Sequence, residues 1–172
     1  PTIVVRPVPV GNPSIKEARY ASVAIDAELG AVWMPPFAAK LLMRINETDN
    51  AIDTFNEWPT EVAANPVFYG SAIDARRQLW LAPYNAAAIV VVQIRGANTG
   101  KMRSVALPAG IDDPPRELFI GLVHHPDRDT LWFIPHNAAR LVKVVAASST
   151  TSPPSVSRES VSRRLPPVSS TG

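Results

Sequence analysis

The chain alternates short apolar runs with turn-forming residues, and the clearest instance lies between Gln78 and Ile94, QLWLAPYNAAAIVVVQI. Leu79, Trp80 and Leu81 form one apolar run. Pro83 then fixes φ and removes a backbone donor, which ends strand pairing. Asn85 suits a turn, because its side chain tolerates the left-handed region and can bond its own backbone. From Ile89 to Ile94 a β-branched run resumes, the composition of a strand buried on both faces. Ala86 to Ala88 leave too little room for a helix, so the stretch reads as a hairpin with a Pro-x-Asn turn.

The pattern recurs. TLWFIPHNAARLVKV, from Thr130 to Val144, aligns Trp132 with Trp80, Pro135 with Pro83, Asn137 with Asn85 and Leu141 with Ile89. AVWMPPFAAKLLMRI, from Ala31 to Ile45, is a looser copy. In it Pro35 takes the proline place, Phe37 replaces the asparagine, and Trp33 needs a gap. Upstream, FYGSAIDARRQLW matches FIGLVHHPDRDTLW, and YASVAIDAELGAVW shares the Ala-Ile-Asp-Ala core. At the proline the copies are spaced by 48 and 52 residues. Strand-rich repeats of that period point to β-propeller blades.

Each copy divides into strands. The second gives Phe68–Ile73, Gln78–Ala82, Ala88–Ile94 and Met102–Leu107. The first gives Tyr20–Ile25, Ala31–Met34, Lys40–Ile45 and Ala51–Trp58. The third gives Leu118–His124, Thr130–Ile134 and Leu141–Val145, with no fourth strand. Thr2 to Val10 is a candidate for the missing one, its Pro7 and Pro9 suiting an edge. The expected class is all-β, with three propeller-blade-like four-stranded repeats over about 20–67, 68–118 and 119–147 of a region running 1–147. Such a set would be part of a propeller or one completed by oligomerisation; the rival is a β-sandwich.

Composition shifts at Ser148: nine serines, three threonines and four prolines fill the last 25 residues, which predicts a disordered tail over 148–172. That tail holds three arginines and one glutamate and so carries the whole net charge of +2. The balance of the remainder argues against a nucleic-acid partner. With no cysteine, disulfides and thiolate chemistry are excluded. No signal peptide or membrane-spanning run is visible, so no membrane partner is expected and an intracellular setting is compatible.

Candidate chemistry is sparse. Trp33, Trp80 and Trp132 are expected to pack blade against blade. His124 and His125, followed by Pro126 and Asp127, sit where the other copies carry Ile73-Asp74 and Ile25-Asp26. Neighbouring strand residues point to opposite faces, so no metal site is expected there. Asp26, Asp74 and Asp127 fall in matching turns and should act as turn caps. Arg76, Arg77 and Arg128 read as a solvated face. Pro1 alone suggests tautomerase chemistry, which the rest of the chain does not support. In the tail, RRLPPV (Arg163 to Val168) has the form of a polyproline ligand for Src-homology-3 domains.

From Gly121 to Ala138 the motif Gly-x4-Pro-Asp-x3-Leu-Trp-Phe-x-Pro-x-Asn-Ala resembles the blades of streptogramin-lyase-like propellers. It is also similar to the tandem Pro-Tyr-Asn-Ala repeats of protozoan propeller proteins. The resemblance covers Tyr20 to Val145 and implies a propeller; the lyase catalytic residues have no matching positions. The expected function is therefore a non-enzymatic scaffold or protein-interaction module, with a protein partner or a second copy as partner and no cofactor. The alternative is a lyase- or lactonase-type enzyme acting near His136. The turns between second and third strands should gather Pro36, Tyr84, Asn85, His136 and Asn137 on one rim, the expected binding surface.

Overall fold

The computed structural model describes residues 19–111 and 116–145, together with the two-residue strand Val156–Ser157. Three separate four-stranded sheets follow one another, each an antiparallel meander. The first blade is β1 (Ala24–Asp26), β2 (Ala31–Met34), β3 (Leu42–Asn46) and β4 (Ile52–Phe55). The second is β5 (Phe68–Ile73), β6 (Gln78–Pro83), β7 (Ile89–Gln93) and β8 (Met102–Val105). The third is β9 (Phe119–His125), β10 (Thr130–Pro135), β11 (Val142–Val145) and β12 (Val156–Ser157).

The fourth strand of the third blade comes from the Ser/Pro-rich tail, where Val156 pairs with Val144 and Ser157 with Lys143. Thr2–Val10, Pro1, the RRLPPV motif and the rest of the tail lie outside the described residues.

Register corrects the alignment of the first copy. Pro36 pairs with Tyr20 as Pro83 pairs with Phe68 and Pro135 with Phe119. Pro36, not Pro35, is thus the repeat proline. Trp33 then stands at the same spacing as Trp80 and Trp132, and the supposed gap disappears.

Period-two alternation decides how blades stack. In the second blade the row Ala72, Trp80, Val91 faces the third blade, while the row Ile73, Leu79, Val92 faces the first. The matching tryptophan row of the first blade, Ala24, Trp33 and Arg44, points at the second. Leu131 and Val144 of the third blade point back at the second. Each interface therefore sets the tryptophan row of one blade against the leucine row of the next. This is why β6 and β7 read as continuous apolar runs: both their faces are covered.

The innermost strands approach most closely at paired glycines. Gly70 adopts φ +142, and a methyl group there would lie 2.7 Å from the backbone of Gly121. Both glycines sit at irregularities in the β5–β6 and β9–β10 pairings. The missing side chains let the inner strands converge at the axis.

A candidate interaction rim at the second-to-third strand turns

Each turn after the repeat proline wraps its amides around one carbonyl. The Val67 carbonyl accepts from the N–H groups of Tyr84, Asn85 and Ala86 at 3.0, 3.2 and 3.3 Å. The Arg19 carbonyl accepts from Phe37, Ala38 and Ala39, and the Leu118 carbonyl from His136 and Ala138. Phe37, Tyr84 and His136 are thereby the same position in three successive blades. Each is carried just past a proline that cannot continue the ladder.

Pro36 does not stand beside Tyr84 and His136 on the rim. It is buried at the end of β2, and its carbonyl accepts from the Phe68 N–H of the next blade at 3.0 Å. Phe37 takes the rim place. Its ring lies 5.4 Å from that of Tyr84 and 5.8 Å from that of Tyr69; Tyr69 and Tyr84 are 5.7 Å apart. Tyr84 also stacks on His136, at 6.3 Å and 27°. Four rings from three blades thus form one continuous row. Sequence reading missed Phe37 because the alignment was one residue out, and missed Tyr69 because it comes from an inner strand.

The asparagines work differently from the expectation. Neither Asn85 nor Asn137 has a positive φ. Instead, the Asn85 side-chain oxygen accepts from the Glu117 N–H at 2.7 Å, across the blade boundary, while its carbonyl accepts from Asn65 Nδ2 at 3.1 Å. Asn137 Nδ2 donates to Glu117 Oε2 at 3.2 Å. Glu117 itself adopts φ 50, a conformation that costs a non-glycine residue on the order of 1 kcal/mol. Asn65, Asn85, Arg116, Glu117 and Asn137 line a cavity of about 500 Å³ beside the aromatic row. The Tyr84 hydroxyl is held above its ordinary pKa, first by removal from water and then by the charge and hydrogen bond of Glu117. At neutral pH it is a hydrogen-bonding phenol. His136 Nδ1 lies 3.9 Å from Glu117 Oε2.

The opposite end of the blades carries structural polar groups. Buried Asp74 accepts from Arg76 N, Gln78 N and Trp80 Nε1 at 2.9, 2.8 and 2.8 Å. Asp26 caps its turn through the Glu28 N–H. By register His125, not Asp127, occupies the Asp26 and Asp74 position. The third blade's crossing bond comes from Asp129, which accepts from the Ala75 N–H at 3.2 Å and contacts His124 Nε2 at 3.0 Å. Arg77 is not merely solvated: it and Arg95 bridge Asp26 and Glu28 of the first blade. Arg44, Arg103 and Lys143 lie over the rings of Trp33, Trp80 and Trp132 at 5.8, 5.8 and 5.0 Å. Among the described residues no group of three His, Asp or Glu side chains could hold a metal ion.

No family profile matches the sequence, and no characterised protein matches it by sequence. Solved structures do. Virginiamycin B lyase from Staphylococcus aureus superposes with a TM-score of 0.58 at 18% identity, over 83% of this chain and 41% of that one. A catalytically inactive histidine variant of that lyase, with quinupristin, gives 0.59 at 16% identity, over 87% and 44%. The extracellular domain of a one component system from B. thetaiotaomicron gives 0.54 at 15% identity, over 77% and 16%. The chain thus spans less than half the length of the lyase chains it matches. What these likenesses share with the register, the buried tryptophan rows and the converging glycines is the architecture: the chain is built of three consecutive β-propeller blades.

Proposed function

We propose that this segment is a non-enzymatic propeller module whose second-to-third strand rim receives a protein partner. The observation that carries the reading is the unbroken row Phe37, Tyr69, Tyr84 and His136, which spans three blades beside an amide- and carboxylate-lined cavity. Half-exposed aromatic rings supply contact area at small entropic cost, and Asn85, Asn137 and Glu117 supply directional polar contacts. Binding energy in such a surface concentrates on the aromatic anchors. Tyr84→Ala and His136→Ala should therefore leave the thermal midpoint nearly unchanged and each weaken capture at least tenfold. The test is a quantitative pull-down from native extract with the wild type and both variants side by side. Proteins retained by the wild type and lost by both variants support the reading. Nothing above background, or equal retention by all three, opposes it.

One observation favours a second reading, a lyase- or lactonase-type enzyme: the approach of Glu117 to His136 places a carboxylate near a candidate base. Glu117 is already engaged by Asn137 and by the Tyr84 hydroxyl, which leaves it a weak orienting partner. Turnover of quinupristin, the compound that accompanies the inactive lyase variant, that vanishes in His136→Ala would establish the enzyme and displace the module.

A further inference from the structure

We propose that the outer face of the third blade receives the first blade of a second copy, so that two chains close a six-bladed ring. The interface rule inside the chain carries this. Twice, the tryptophan row of one blade meets the leucine row of the next. The third blade carries its own tryptophan row, Val123, Trp132 and Lys143, on its outer side. There Val123 is 53% exposed and Ile134 and Leu141 are also exposed, where the equivalent positions Ala82 and Ile89 of the second blade are buried.

The first blade carries the complementary leucine row, Ile25, Val32, Ile45 and Ile52, on its outer side. Ile25 is 62% exposed and Ile52 is exposed; Ile45, mid-row, is already covered within the chain. In the second blade the positions matching Ile25 and Ile52, Ile73 and Met102, are half-buried and packed into the interface with the first blade. The chain thus displays both halves of an interface that it builds twice internally. Contiguous apolar faces of this kind mark interaction sites. A second copy is the occupant that supplies both halves in the right register.

Two copies of these three blades supply six, within the four to eight of closed rings. A head-to-tail contact that closes after two copies gives a two-fold ring with two identical interfaces. Each interface would also extend the rim, setting His136 of one copy toward Phe37 of the other.

Light scattering on the full chain tests this, with Val123→Lys and Ile25→Glu, both at exposed positions. The wild type should show twice the 18.6 kDa mass of one chain at micromolar concentration. Each variant alone should be monomeric with an unchanged circular dichroism spectrum. An equimolar mixture should recover the dimer, since it restores one intact interface and pairs Lys with Glu in the other. A wild type that stays monomeric to about 100 µM (tighter association being usual for stable interfaces) overturns the proposal. So does a dimer that survives both substitutions.

Discussion

Gly70→Ala is expected to be the most damaging small substitution in the chain. Its φ of +142 is a region that L side chains rarely enter, and its new methyl would meet Gly121 Cα and C at 2.7 Å. Neither neighbour is a side chain that can swing away. Backbone strain of about 1–3 kcal/mol adds to a clash that only separation of the inner strands relieves, for a total of about 3–5 kcal/mol. For a domain of this size that lowers the melting temperature by roughly 10 °C. Two controls locate the cause. Gly121→Ala meets chiefly the Ile134 side chain, which can rotate, and should cost less. Gly96→Ala meets nothing within 4 Å and carries only the penalty of its φ of +69, about 1 kcal/mol. Equal melting temperatures for the Gly70 and Gly96 variants would show that the inner strands do not converge as described.

Asp74→Ala should cost nearly as much. The carboxylate is 3% exposed and satisfies two backbone donors of its own turn and the indole of Trp80. Removing it leaves the buried Trp80 N–H with no acceptor and loosens the hairpin that carries it. An unsatisfied buried donor costs about 1–3 kcal/mol, and with the lost turn bonds the sum is about 3–4 kcal/mol. Asp74→Asn keeps one acceptor oxygen but turns an amide N–H₂ toward a donor, and should fall between. Asp127→Ala, at an exposed position in the corresponding turn of the third blade, should change stability by less than about 0.5 kcal/mol. Urea unfolding of the three variants measures the order. Asp74→Ala within 1 kcal/mol of wild type would remove the buried carboxylate from the list of what holds the blade.

The repeat was legible because its signals are local. Trp80, Pro83 and Asn85 mark a hairpin by the chemistry of three residues, and Trp132, Pro135 and Asn137 repeat it. The uninterrupted apolar run from Ile89 to Val92 announced a strand covered on both faces. What was not legible depended on partners distant in sequence. Pro35 and Pro36 look alike in a row of letters, and only the pairing of Pro36 with Tyr20 decides between them. Asn85 has the composition of a turn residue, yet its side chain holds Glu117 of the next blade, 32 positions away. The strand Val156–Ser157 lies in a stretch whose serine and proline content argues for disorder, and it is specified by the open edge of β11 rather than by its own propensity. Tyr69 has no counterpart at the turn and joins the aromatic row because β5 begins beside the rim. Asp127 was expected to cap like Asp26 and Asp74, but the third hairpin inserts a short 3-10 turn at Pro126–Arg128 that carries Asp127 past the cap position, which His125 holds in unshifted register.

The arrangement of three blades about one axis, with their second-to-third strand turns on a single rim, is tested most directly by proton–proton Overhauser contacts among four rings. Phe37, Tyr69, Tyr84 and His136 come from three blades, and their neighbouring centroids lie 5.4 to 6.3 Å apart. Cross-peaks are expected between Tyr84 and each of Phe37, Tyr69 and His136, and between Phe37 and Tyr69. Their presence fixes the blade order and the shared rim together. A folded chain in which the Tyr84 ring shows no contact with His136 or Phe37 would place those turns apart and contradict both the blade arrangement and the interaction surface built on it.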